Sequence, residues 1–315
     1  MAAIDVRPAP DTATTPSTAA RARRRRRTRE AVIAYALLGP NLLLFGVFMA
    51  VPLVLVVVLS LQNYTGFGAA EWVGLQNYTG LAGDSVFWRS AVNTVIFAAV
   101  TVPVTLALGL WVAVLLNRSV PARGLFRALF YLPYVISGVV IAMVGKWIFN
   151  ENIGVVNRLL RAVGAPSIGW QSETVPALVS LMVMLIWARL GLVMVIYLAG
   201  LQGIPVEYYE ASRVDGANRW QQFRYVTWPM LRPTTFFLVV LTVIESFQVF
   251  DIVYVMTGGG PGNATQVLTT YAYETGFGAR RQGYSAAIGV IVYVAVLVFT
   301  VLWWQVQKRR EVDVT

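Results

Sequence analysis

The side chains of this chain best able to do chemistry are few, and they stand in apolar surroundings. Arg189 is the one charge in the run 175–200, and Glu245 and Asp251 are the only charges in the run 233–256. An ionisable group so placed is costly, and marks a site unless it is simply paired. Glu245, Gln248 and Asp251 recur every third residue. On one continuous helix, at 100° per residue, they form a strip about 120° wide. Phe247, Phe250 and Tyr254 then fall on the other side, where they read as packing rather than as stacking surfaces. Such a strip supplies hydrogen-bond donors and acceptors to a hydroxyl-rich solute. Arg189 stands eleven residues before Gly200 and Glu245 eleven residues after Thr234, each about 16 Å from the cytoplasmic boundary at helical rise. Two antiparallel helices would bring them to one depth, where they can form an ion pair. That pair either holds the helices together or touches a solute, and spacing alone leaves both open. Acid–base catalysis would have Glu245 and Asp251, about 9 Å apart along the axis, and no evident nucleophile. The 315 residues contain no cysteine and no histidine. Disulfides and thiolate metal sites are therefore excluded, and the usual metal ligand and commonest general base are missing. No catalytic residue, no metal and no bound cofactor is expected.

The elements that position these residues follow from where charge is absent. Of the chain, 57% is hydrophobic and 13% charged, against about 25% charged in a soluble domain; the mean hydropathy is +0.64. No Asp, Glu, Lys or Arg occurs between Glu30 and Glu71, between Arg89 and Arg118, or between Arg281 and Lys308. Each gap holds the roughly 20 residues a membrane-spanning helix needs. The runs lack the alternation of barrel strands, and only helices or closed barrels satisfy their backbone in lipid. The expected fold class is an all-α membrane protein with six transmembrane helices at about 31–61, 91–117, 125–149, 175–200, 233–256 and 286–307, forming one domain over 31–307. With the N-terminus inside, the cytoplasmic side holds eighteen Lys and Arg and the outer side six, so both termini are expected in the cytoplasm. Residues 1–30, rich in Pro, Thr, Ala and Arg, read as a disordered basic tail, and 308–315 as a second short tail. The run Arg23–Arg27 precedes a span directly. It is read as fixing topology and touching anionic membrane lipid, not as binding nucleic acid.

One cytoplasmic connection, 203–233, is long. Pro205 suits a helix's first turn, and Glu207 and Glu210 favour its positive end. Asp215-Gly216 supplies a turn in which glycine accepts a left-handed backbone. Asn218 can cap a second short helix running toward Val226, stopped by Pro229 and Pro233. Tyr208, Ala211, Ala217, Trp220 and Phe223 give this helix–Gly–helix elbow more apolar surface than a solvated loop requires. An exposed amphipathic helix of this kind fits a groove on a soluble partner or lies on the lipid surface.

Glu210-Ala211-Ser212, Gly216 and Trp228-Pro229 resemble the Glu-Ala-Ala…Gly…Leu-Pro signature of binding-protein-dependent ABC importer permeases, with Ser212 and Trp228 as mild departures. Tyr209 to Ala217, with Phe223 and the closing Trp228 to Pro233, is similar to the carbohydrate branch, of the maltose and glycerol-3-phosphate type. The segment Glu245 to Thr265 resembles the fifth helix and outer loop of the first permease in such systems, and Trp72 to Tyr78 is a weaker match to their first outer loop. The resemblance implies the ABC importer permease fold and a transport subunit of the bacterial cytoplasmic (inner) membrane that imports a sugar or sugar-like solute. It implies that the loop, over 205–229, is a coupling helix seated on a cytoplasmic ATPase, with Glu210 and Gly216 carrying the docking amid Ala211, Asp215, Ala217, Phe223 and Pro229. It implies that Glu245, Gln248 and Asp251, with Arg189, line the solute path. The implied partners are a second homologous permease, two ATPase subunits and an extracytoplasmic solute-binding protein. Gly258 to Thr265 is glycine-rich but lacks the lysine of a phosphate loop and reads as a turn, so ATP would be bound by the partner. An ion-coupled secondary transporter using Arg189, Glu245 and Asp251 as a relay, and a membrane enzyme, are the alternatives.

Overall fold

The computed structural model describes residues 18–118 and 121–312, in two compact units divided between Leu55 and Val56. In the first, α1 (Thr18–Phe45) passes through a π-turn, Gly46–Ala50, into α2 (Val51–Ser60). The helix starts thirteen residues before the expected 31. Ala and Arg are strong helix formers, so the basic stretch from Thr18 continues the helix rather than remaining disordered. Residues 1–17 of the expected tail lie outside the described residues.

The second unit opens with an antiparallel hairpin, β1 (Gln62–Asn63) and β2 (Glu71–Trp72), then α3 (Gln76–Ala82) and α4 (Ser85–Leu116). There follow α5 (Arg123–Val135), α6 (Gly138–Ile148), α7 (Val155–Ala162) and α8 (Thr174–Gln202). The elbow comprises α9 (Val206–Val214), α10 (Arg219–Gln222) and α11 (Trp228–Met230). The chain ends with α12 (Arg232–Phe247), α13 (Asp251–Met256), α14 (Leu268–Tyr273) and α15 (Gln282–Val312). The last helix thus takes in most of the expected C-terminal tail.

Five stretches among the described residues are long and apolar enough to cross a membrane: Arg29–Ser60, Ser85–Leu116, Thr174–Gln202, Arg232–Met256 and Gln282–Lys308. The expected span 125–149 is not one rod. It is the pair α5 and α6, bent by 99°, and counts as the sixth span only if the bent pair crosses as a unit. Ile136 is extended, at φ −75° and ψ 143°, and Ser137 follows at ψ 137°, so two residues leave the helix just after Pro133. Large apolar side chains such as Val92, Val95 and Trp111 on α4 and Leu297 and Leu302 on α15 remain exposed. In water such surface would drive aggregation; in a bilayer it meets lipid.

Lipid gives no hydrophobic drive between helices, so they associate through close packing at small residues. At Gly191 on α8 an added Cβ would lie 2.2 Å from the Phe130 carbonyl oxygen and 2.6 Å from the Tyr131 Cα of α5. The obstacle is backbone, which cannot swing aside. Phe97, Leu181, Leu185 and Val253 build one buried cluster, and Ala113, Val193, Met194, Leu231 and Leu238 another.

The N-terminal end of α4 is fastened by Asp84. Its carboxylate accepts from the amides of Val86 (2.9 Å) and Phe87 (3.2 Å) and from the Tyr284 hydroxyl (2.8 Å), and also from the Tyr271 hydroxyl. One side chain thus caps α4 and joins it to α14 and α15. Burial works to raise the Asp84 carboxyl, but the bonds from Tyr271, Tyr284, Phe87 and Val86 outweigh it and hold it below its ordinary 3.8. Burial, reinforced by Asp84, pushes the Tyr271 hydroxyl up to about 12, so it stays a donor.

Two tests follow from this packing. Gly191→Ala should destabilise by about 1–3 kcal/mol, as overpacking does. Gly289→Ala, where an added Cβ has nothing within 4 Å, should leave stability unchanged or raise it by up to about 1 kcal/mol; melting temperatures in detergent compare the two. A carboxyl whose value falls on folding stabilises above its unfolded value, and that contribution disappears as pH drops through the folded value. Acidification from about pH 5 to about pH 3 should therefore lower the native melting temperature more than that of Asp84→Asn.

Candidate functional site

A cavity of about 220 Å³ lies where two helix breaks meet. One is the Ile136–Ser137 bend between α5 and α6. The other separates α12 from α13 at Gln248, Val249 and Phe250, with Phe250 at φ −133° and ψ −60°. The expectation of one helix over 233–256 is therefore corrected: Glu245, Gln248 and Asp251 are not a 120° strip on a single rod. They share one site nevertheless: Gln248 and Asp251 line the same cavity as Glu245 and Arg189. Phe250, expected on the opposite side, lines the same cavity. It stacks on Tyr254 (centroids 5.2 Å, 13°), and both rings meet Tyr273 edge-on.

The expected ion pair is formed. Arg189 Nη1 lies 2.9 Å from Glu245 Oε2, and Nη2 donates to the Glu245 carbonyl oxygen at 2.9 Å. The guanidinium thus binds both the side chain and the backbone of the last turns of α12, one turn before the break. The pairing balances the two charges in a setting where neither could be left alone, although Nη1 and Oε2 meet as a charge contact without hydrogen-bond geometry. Asp251 has a different place. It opens α13, and its carboxylate packs on Gly138 at the start of α6, where an added Cβ would come 2.6 Å from Oδ2. A carboxylate suits the positive ends of these two short helices. Pro133, Tyr134 and Gly138 line the cavity too and were not anticipated; the signal for them was a proline followed by Ser137-Gly138 inside an apolar run.

The Gly258–Thr265 turn is braced by α4. Asn93 Nδ2 donates to the carbonyl oxygens of Ala264 (2.9 Å) and Gln266 (2.8 Å), and Thr265 Oγ1 donates to that of Gly260 (2.7 Å).

At the other end of α8 and α12 stands the elbow. After α9, the amide of Ala217 donates to the Ser212 carbonyl (2.9 Å) and that of Gly216 to the Arg213 carbonyl (3.0 Å). With Gly216 at φ +77°, this is the paired closure of a Schellman motif, capped by Asp215. Asn218 and Gln221 then bond reciprocally, each side chain to the other's amide, at 2.9 and 2.8 Å. This capping box fixes the start of α10. The second arm does not stop at Pro229 and Pro233. A π-turn, Phe223–Thr227, leads into α11 and α12, and both prolines occupy their first turns, where a missing N–H costs nothing. The Tyr209 and Thr227 hydroxyls, 3.0 Å apart, tie the two arms together. Tyr208, Glu210, Ala211, Asp215, Gly216 and Trp220 are exposed, while Ala217, Phe223 and Pro229 are half-buried. An added Cβ at Gly216 meets nothing within 4 Å.

Residues 105–312 match the family model described as "Binding-protein-dependent transport system inner membrane component". Among similar proteins, the trehalose/maltose transport system permease protein MalF of Thermococcus litoralis is 32% identical over 283 residues, covering 90% of this chain and 96% of its own length. The sulfoquinovosyl glycerol transport system permease protein SmoG of Agrobacterium fabrum is 30% identical over 284 residues, covering 90% and 92%. The fold is similar to that in a crystal structure of a bacterial ABC transporter involved in the import of the acidic polysaccharide alginate, with a TM-score of 0.79 at 24% identity, over 91% of this chain and 99% of that one. With matched residues running from the middle of α4 to the end of α15, the chain belongs to the family of binding-protein-dependent transport system inner membrane components and is a permease subunit of an ABC importer, a transport subunit and not an enzyme.

Proposed function

We propose that this subunit forms half of a sugar-conducting pathway in the bacterial cytoplasmic membrane and takes its driving force through the elbow. A second homologous permease supplies the other half. Two cytoplasmic ATPase subunits dock on the elbows, a solute-binding protein delivers the ligand to the opposite face, and both termini lie on the ATPase side. The observation that carries this reading is the elbow itself. It is closed at Gly216 by two backbone bonds, locked at Asn218 by a capping box and tied across at Tyr209, yet it presents Tyr208 and Trp220 to solvent. A loop held this rigidly with apolar side chains outward is suited to a groove on a soluble partner. ATP binds on that partner. The sugar class is supported by the relatives, named for trehalose/maltose and sulfoquinovosyl glycerol transport, and by the hydrogen-bonding groups Gln248 and Asp251 beside the Phe250 ring in the cavity.

Gly216→Val should abolish uptake and its coupling to ATP turnover while membrane insertion stays intact. The left-handed backbone is strained by about 1–2 kcal/mol in an L-residue, and there is no clash that would unfold the spans. Normal uptake by that variant in vesicles would remove the elbow's role. In the cavity, Asp251→Ala should cut sugar uptake about tenfold, the equivalent of one charged hydrogen bond, with melting temperature and ATPase association unchanged. Glu245→Ala should instead destabilise by about 3 kcal/mol by leaving Arg189 unpaired. If Asp251→Ala melts early as well, its carboxylate is structural.

A further inference from the structure

Behind the elbow two cavities join. The first, of about 570 Å³, is lined by Arg118, Arg213 and Arg219 with Tyr209 and Gln222, and no carboxylate lines it. The second, of about 690 Å³, is a mainly apolar cleft against the last three turns of α4, walled by Leu106, Leu110 and Trp111 and by Trp228. Val114, Arg118, Arg219 and Phe223 line both, so the two are continuous. Among the described residues none of the three arginines forms an ion pair or a side-chain hydrogen bond. Three guanidinium groups at the end of a membrane helix, facing one space without a counter-charge, repel one another unless an anion joins them.

We propose that this double cavity seats one anionic phospholipid, its phosphate between Arg118, Arg213 and Arg219 and an acyl chain along α4 in the apolar cleft. The arrangement matches an amphiphile in both sign and polarity. Arg118 lies just beyond the C-terminus of α4, where the chain leaves the apolar layer, and Trp111, Trp220 and Trp228 line the adjoining cleft, a side-chain type favoured near a bilayer boundary. Basic pockets between membrane helices on one leaflet take anionic headgroups in this way. An acidic loop of a soluble ATPase could meet the arginines, but it would leave the cleft of Leu106, Leu110 and Trp111 empty. A zwitterionic lipid would fill the cleft and leave the arginines without a net counter-charge. Because the seat spans α4 and both arms of the elbow, a bound lipid would fasten the elbow to the membrane edge.

The test is native mass spectrometry of the complete transporter purified from membranes and exchanged into nanodiscs of phosphatidylcholine with a minor share of phosphatidylglycerol. One phosphatidylglycerol should be retained per copy of this subunit, in preference to phosphatidylcholine. Arg118→Gln, Arg213→Gln and Arg219→Gln together should lower its retention roughly a hundredfold, at about fivefold per charge near the surface. Leu110→Trp, which fills the cleft and keeps the arginines, should also release it. Equal retention of both lipids, or retention unchanged in the triple variant, overturns the proposal. So does a triple variant that keeps the lipid but loses the ATPase, which would assign the arginines to a protein contact.

Discussion

A helix can break inside a bilayer only where something other than lipid receives the backbone groups it frees. This constraint governs the molecule, because unsatisfied N–H and C=O groups in hydrocarbon each cost several kcal/mol. Two helical stretches are nevertheless interrupted, at Ile136–Ser137 and at Gln248–Phe250. Both interruptions open onto the same cavity, and no lining residue of that cavity comes from elsewhere than α5, α6, α8 and the α12–α13 segment. Each break is tolerable because the other is beside it. Asp251 stands at the junction: it begins α13 and packs on Gly138 at the beginning of α6, so one negative charge faces two helix starts.

The same constraint explains which parts of the fold were legible in the sequence. Span 175–200 has no proline after its first turn, and α8 occupies Thr174–Gln202. The turn of the elbow was legible to the residue, because Gly216 and Asn218 act through local backbone chemistry that neighbours in sequence decide. The breaks were not. Prolines are common in membrane helices, and Pro103 sits within an unbroken α4 while Pro133 precedes a 99° bend. Both prolines line a cavity, so neither the proline nor a neighbouring cavity decides by itself which helix bends. The cluster of Glu245, Gln248 and Asp251 was inferred from a helical period that the chain does not keep. The residues line one cavity across that break, so the site was located from a pattern whose geometry is different. The Arg189–Glu245 pair needed only equal depth on neighbouring helices, which residue counting supplies.

Proline and glycine therefore read differently at the two ends of α12. At the elbow, Pro229 and Pro233 were taken as stops, yet each begins a helical turn. A π-turn just before them, in which the Trp228 amide bonds to the Phe223 carbonyl, shifts the hydrogen-bond register so that the prolines fall where no donor is required. The consequence is mechanical. The second arm of the elbow runs from Asn218 into α12 with a single interruption at Leu231, whose own amide still bonds to the Thr227 carbonyl at 3.0 Å.

The route from elbow to cavity is then short. The sixteen residues of α12 make a rod about 24 Å long, rooted in the elbow at Arg232 and ending at the break beside Gln248. The rod beside it, α8, enters the elbow at Gln202 and carries Arg189 at the level of Glu245. By gripping both the carboxylate and the carbonyl of Glu245, Arg189 couples the two rods one turn short of the break. A displacement of the elbow would reach that level with little loss, because both rods and the clamp between them are stiff. The non-helical residues Val249–Phe250 and Ile136–Ser137 are the compliant points: the carbonyls of Ser137 and Phe250 accept from the helices that follow, but α5 and α12 have ended before them. On the proposed coupling role, motion imposed at the elbow would be absorbed where Gln248, Phe250 and Asp251 line the cavity, and a stiff elbow is of use to a transporter only if something soft lies at the far end of the rods.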